Sequence, residues 1–148
     1  MNSDLLVVFE NEQVFPDALH YAKAFALRIN AGVTFLMLVY MSFSGPNLLR
    51  VKRHDLKKTG IRVNRLLEEC SVPFIASGLK INSAVRIGDP AHELLKFLAD
   101  RPPFKVIIWG SSQNLPFALK SSGKHWLGRV TTSLECPLLA VRKRIPKT

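Results

Sequence analysis

Four short segments of this chain, residues 5–9, 33–40, 106–109 and 138–141, are apolar along most of their length, residues 80–87 read as a further strand, and between them apolar positions recur at helical spacing. A continuous apolar run bounded by polar residues suits a strand buried on both faces. After the first run, Ala18, Ala22, Phe25, Ala26 and Ile29 mark one face of a helix, with Pro16 in its first turn and Gly32 just past its end. After the second, a basic stretch leads into a helix whose apolar face is Val63, Leu66, Leu67 and Cys70. Gly88-Asp89-Pro90 opens a third helix, with Asp89 able to cap and Pro90 suited to the first position. Ala91, Leu94, Leu95, Leu98 and Ala99 line its face, and Pro102-Pro103 ends it. Trp126, Val130 and Leu134 mark one face of a short final helix.

Strands alternating with helices predict an α/β domain in three layers: an open, Rossmann-like parallel sheet of five strands with helices on both faces. The 148 residues suit one domain, residues 1–148, with no repeat, linker or low-complexity tract. In such sheets ligands bind beyond the carboxyl ends of the strands, where strand order reverses. The loops after Phe9, Tyr40 and Trp109 are therefore expected to converge on the site.

Composition narrows the function classes. The longest apolar run, residues 33–41, is far short of the roughly 20 residues of a membrane-spanning helix. The opening Met1-Asn2-Ser3-Asp4 lacks the basic region of a secretory signal, and Cys70 and Cys136 are too few for a disulfide framework, so a reducing cytoplasm is expected. The net charge of +10 is concentrated: Arg50, Lys52, Arg53, Lys57, Lys58, Arg62 and Arg65 stand against Asp55 alone, and Arg142, Lys143, Arg144 and Lys147 form a second group. Such fields attract nucleotides, nucleic acid or anionic lipid, although a solvated helix face has the same composition.

Candidate chemistry gathers after the fourth predicted strand, residues 106–109. Gly110 lets backbone approach a ligand, Ser111 and Ser112 offer hydroxyls, and Gly123-Lys124 at the start of the last helix would present N–H groups and a cation to an anion. The phosphate-loop pattern G-x-x-x-x-G-K-[ST] is not met, because Ala118 replaces its first glycine and His125 its hydroxyl residue. His20, His54, His92 and His125 show no metal-ligand spacing, and no metal site is expected. No nucleophile elbow G-x-S-x-G is present, and Trp109 and Trp126 read as core or rim aromatics.

The order of elements and several local strings resemble the universal stress protein family over essentially the whole chain. Leu5-Leu6-Val7-Val8-Phe9-Glu10 is similar to that family's first strand and its acidic end. Gly88-Asp89-Pro90-Ala91 matches its G-x-P-A turn, Val106-Ile107-Ile108-Trp109-Gly110-Ser111 its fourth strand, and Cys136-Pro137-Leu138-Leu139-Ala140-Val141 its closing C-P-V-L-x-V. The resemblance implies strand order 3-2-1-4-5 and a cytoplasmic homodimer pairing through Leu138, Leu139, Ala140 and Val141.

One branch of that family binds ATP through G-x2-G-x9-G-[ST]. Here Gly110 fits the first glycine, Gln113 replaces the second, Gly123 falls at the third and Lys124 replaces the hydroxyl residue. Glu10 stands at the family's aspartate and Leu38 at its adenine-side aliphatic residue. In a second register, Leu127-Gly128-Arg129-Val130 resembles L-G-[ST]-V, with Arg129 at the hydroxyl position. Gln113 disfavours the positive φ that glycine allows, and Lys124 or Arg129 would hold a phosphate by charge. The resemblance implies a non-enzymatic stress-response protein, regulatory or protective, with a degenerate nucleotide pocket. Two alternatives stand beside it. One is a switch that binds ATP or another adenine nucleotide, with magnesium and slow hydrolysis. The other is a basic module that uses the Arg50 to Arg65 face on nucleic acid or anionic membrane.

Overall fold

The computed structural model describes residues 4–41, 49–111 and 126–141. The elements run β1 (Leu5–Glu10), α1 (Pro16–Ile29), β2 (Val33–Tyr40), α2 (Leu49–Ala76), β3 (Ile81–Gly88), α3 (Pro90–Ala99), β4 (Val106–Trp109), α4 (Trp126–Val130), a 3-10 turn (Thr131–Ser133) and β5 (Leu138–Ala140). The five strands form one parallel sheet in the order β3-β2-β1-β4-β5. Among the described residues, no helix is long and apolar enough to cross a membrane.

Alternation along the central strands sorts the core into two layers. Leu5, Val7, Phe9, Val33, Phe35, Met37 and Ile108 face α1 and α2, where Ala18, Ala22, Ala26, Val63, Leu67 and Phe74 meet them. Leu6, Val8, Leu36, Leu38, Ile107 and Trp109 face the other way, onto Leu94 and Phe97 of α3 and Trp126, Leu127 and Val130 of α4. Each of β1, β2 and β4 is buried on both faces, which is why their sequences are apolar without alternation.

The helices begin and end where side-chain chemistry dictates. Pro16 and Pro90 occupy first-turn positions, where the missing N–H costs nothing, and the Asp89 carboxylate accepts the backbone N–H of His92 at 3.0 Å. Helix α1 closes on Asn30, in the left-handed region at φ 55°.

The structure differs from the sequence reading in three places. The basic stretch does not precede α2 but forms its first half: the helix runs 28 residues from Leu49, because lysine and arginine are good helix formers and no proline interrupts them before Pro73. On α3, Leu95 and Ala99 are exposed, and Phe97, absent from the expected face, is buried. The buried residues Pro90, Leu94 and Phe97 centre the arc between Leu94 and Phe97, which leaves Leu95 and Ala99 outside it. Leu134 is not helical: the Thr131 hydroxyl donates to the Gly128 carbonyl at 3.1 Å, the chain tightens to 3-10, and Leu134 continues extended while still packing on the second layer.

Candidate functional site

Strand order reverses beside β1, which lies between β2 and β4, and an open α/β sheet receives its ligands beyond the carboxyl ends of the strands at such a point. Strand β1 reaches that edge with Glu10 and β4 with Trp109.

The loop after β1 is held tightly. Asn11 (φ 50°) and Glu12 (φ 61°) both sit in the left-handed region, which asparagine tolerates and glutamate adopts rarely. The bonds that hold them there run to β2: the Asn11 N–H donates to the Leu38 carbonyl at 2.8 Å, and the Tyr40 N–H donates to the Asn11 Oδ1 at 2.9 Å. The Glu12 N–H points at the Met37 sulfur, 3.3 Å away. The end of β4 is fastened to the same loop. The Phe15 N–H donates to the Gly110 carbonyl at 2.6 Å, and the Ser111 hydroxyl donates to the Gln13 carbonyl at 3.1 Å while accepting the Glu10 N–H. The ends of β1, β2 and β4 thus form one connected edge.

Gly110 has a packing reason of its own. A Cβ there would lie 2.7 and 2.8 Å from two Phe9 ring carbons and 3.0 Å from Val7 Cγ1, closer than real Cβ contacts come. Close approach between β4 and the Phe9 ring therefore requires glycine whether or not a ligand binds.

The Glu10 carboxylate accepts a hydrogen bond from the indole N–H of Trp126. That indole is only 7% exposed and packs 5.9 Å from the Trp109 ring at 60°. Leu38, fully buried, belongs to the same layer as both tryptophans. The structure therefore brings Glu10, Leu38, Gly110 and Ser111 to one edge, with Leu38 covered by the chain's own atoms. Gln113, Gly123 and Lys124 lie outside the described residues, as does the side chain of Arg129, whose backbone falls within α4. Gly128 is a helical residue of α4.

Sequence reasoning missed three contributors: Asn11, which ties the loop to β2; Trp126 as partner of Glu10; and an ion pair from α2. Arg62, a member of the basic run, grips Glu12 with two bonds, one from Nε and one from an Nη at 2.8 Å. This hydrogen bonding, reinforced by the guanidinium charge and opposed by partial burial, holds the Glu12 carboxyl below its ordinary pKa. Lowering in the folded chain means the pair's contribution is full above the ordinary carboxylate range and is lost as pH falls through the lowered value. We expect Arg62→Ala to raise the Glu12 pKa toward the ordinary value in an NMR titration of side-chain carboxyls. An unchanged Glu12 titration would show that the pair does not persist in solution. Because Arg62 is largely exposed, the effect on stability is expected to be small.

Clefts among the described residues lie away from this edge. One of about 400 Å³ is lined by Leu98, Arg101, Phe104, Glu135 and Cys136, and one of about 270 Å³ runs between α1 and α2 beside Leu19, Leu66, Cys70 and Phe74. Burial, then the neighbouring Glu69 and Glu135 charges, pushes the Cys70 and Cys136 thiols above their ordinary pKa, so both stay protonated and poorly nucleophilic near neutral pH.

No protein-family model and no curated protein sequence matches the chain. Solved structures do. The universal stress protein UspA from Lactobacillus plantarum superposes with a TM-score of 0.74 at 16% identity, covering 95% of this chain and 97% of that one. A universal stress protein family member from Arabidopsis thaliana, solved with AMP bound, gives 0.54 at 16% identity over 96% and 92%. The universal stress protein from Archaeoglobus fulgidus in complex with dAMP gives 0.58 at 12% identity over 96% and 98%. The chain shares the fold of the universal stress proteins over nearly its whole length.

Proposed function

We propose that this chain is a universal stress protein, regulatory or protective in role and without turnover of its own, that holds an adenine nucleotide at the carboxyl edge of β1 and β4. The observation that carries the reading is the acidic end of β1 at the point where strand order reverses, in a fold whose solved relatives include AMP and dAMP complexes. A carboxylate there suits the hydroxyls of a ribose, which donate hydrogen bonds that Glu10 can accept. The buried apolar wall of Leu38 and Trp109 suits the flat base, and Lys124 or Arg129 would supply charge for phosphate. The same reading includes a dimer through β5, which stands at the edge of the sheet with Leu138, Leu139 and Ala140 half-buried.

Native mass spectrometry of the purified protein tests both parts, because it reports subunit number and retained nucleotide together. Dimer mass with adenine nucleotide, or saturable heat on titration with AMP or ATP and magnesium, is expected. A protein that carries no nucleotide and gives no heat with millimolar AMP or ATP would overturn nucleotide holding by the native chain. A monomeric mass at working concentration would overturn pairing through β5.

A further inference from the structure

We infer that Trp126 is an internal occupant of the nucleotide edge, an indole latch that must leave before a purine nucleotide can enter. The inference deepens the reading above and rests on this edge being an adenine-nucleotide site.

The argument starts from what Trp126 touches. Its N–H donates to Glu10, the acidic residue at the end of β1, and its ring packs on Trp109, the last residue of β4. These two strands flank the point where strand order reverses, where an open α/β sheet receives its ligand. The indole is a flat bicyclic aromatic group with one strong donor. It satisfies an apolar wall and a carboxylate acceptor together, as a purine nucleoside would through its base and its ribose hydroxyls. At 7% exposure it leaves little of its surface to water, and Leu38 in the same layer has none exposed. A nucleotide reaching Glu10 must therefore take the hydrogen bond from Trp126 as well as displace its ring.

The local build permits that exchange. Within α4, Leu127 at 1% exposure and Val130 at 3% anchor the helix to the sheet independently of Trp126. Rotation of this one side chain vacates the edge while the helix keeps both anchors. The latch lowers apparent affinity by the fraction of molecules in which the indole is out. If that fraction is about one in ten or less, removing the indole tightens binding about tenfold or more.

The test is calorimetric titration of the full chain with AMP, comparing wild type with Trp126→Ala and Trp126→Phe, each checked for cooperative unfolding by circular dichroism. Phenylalanine keeps apolar bulk at the site but has no N–H to give Glu10, so it decides the matter where alanine fails to fold. We expect at least about tenfold tighter AMP binding for the alanine variant and a smaller gain for phenylalanine. In wild type, the Trp126 indole N–H resonance is expected to shift as AMP is added and to lose its protection from hydrogen exchange. Equal or weaker binding by both variants, with wild type binding AMP, would overturn the latch and leave the nucleotide reading intact. A silent wild type with a binding variant would establish the latch and overturn nucleotide holding by the native chain. Silence from all three proteins would overturn both.

Discussion

Phe35→Ala is expected to cost about 3–5 kcal/mol of folding stability, on the order of 10 °C in Tm for a chain of this size. Phe35 lies in β2, fully buried, with the Phe74 ring edge-on at 5.1 Å and the Phe9 ring tilted at 5.5 Å. It is the middle of three aromatic rings that join β1, β2 and α2. Truncation leaves a cavity bounded by side chains that are themselves anchored, so the walls cannot collapse to fill it. Urea unfolding followed by circular dichroism reads the loss directly. A cost below about 1 kcal/mol would mean that the layer under α1 and α2 is not the principal core.

The second large effect is predicted at the site edge. Gly110→Ala is expected to destabilise the fold by about 1–3 kcal/mol, the usual range for overpacking. The added methyl carbon would fall 2.7 Å from the Phe9 ring, which is fully buried and packs against the Phe35 ring at 5.5 Å. If the clash is the cause, shrinking Phe9 to leucine in the same chain should recover part of the loss, and a double-mutant cycle would show a clear coupling between the two positions. A glycine kept only for a ligand would predict the opposite pattern: unchanged stability in the absence of nucleotide, and no coupling to Phe9. The two outcomes separate core packing from binding at a position where sequence alone suggests binding.

The fold was legible in the sequence because three strands are buried on both faces and so announce themselves by composition. The predicted segments 5–9, 33–40 and 106–109 agree with β1, β2 and β4 to within one residue. Helix starts were readable where chemistry is local, as at Asp89-Pro90, where a single carboxylate meets an N–H three residues on. The site was legible only in part. Gly110 and Ser111 are read from the loop that follows the fourth strand, and Glu10 and Leu38 from the family resemblance. The contacts that give the edge its character join residues far apart in the chain: Glu10 with Trp126, Glu12 with Arg62, Ser111 with Gln13. No periodicity encodes such pairs. Arg62 reads in sequence as one cation in a basic run, and only the path of α2 past the β1 loop brings it to a carboxylate. Phe97 is a different kind of miss, since its spacing from Leu94 was visible and its burial follows from where the helix axis lies.

The alanine row of α1 carries a consequence for the site. Ala18, Ala22 and Ala26 are all fully buried against the sheet, and their small side chains set how closely the helix axis approaches it. The start of that helix at Pro16 in turn fixes Phe15, whose N–H holds Gly110. Three methyl groups therefore act as a spacer gauge for the carboxyl edge of the sheet. A bulkier residue at Ala22 would lift the helix and drag the Phe15–Gly110 tie with it, shifting the end of β4 from a position about two helical turns away.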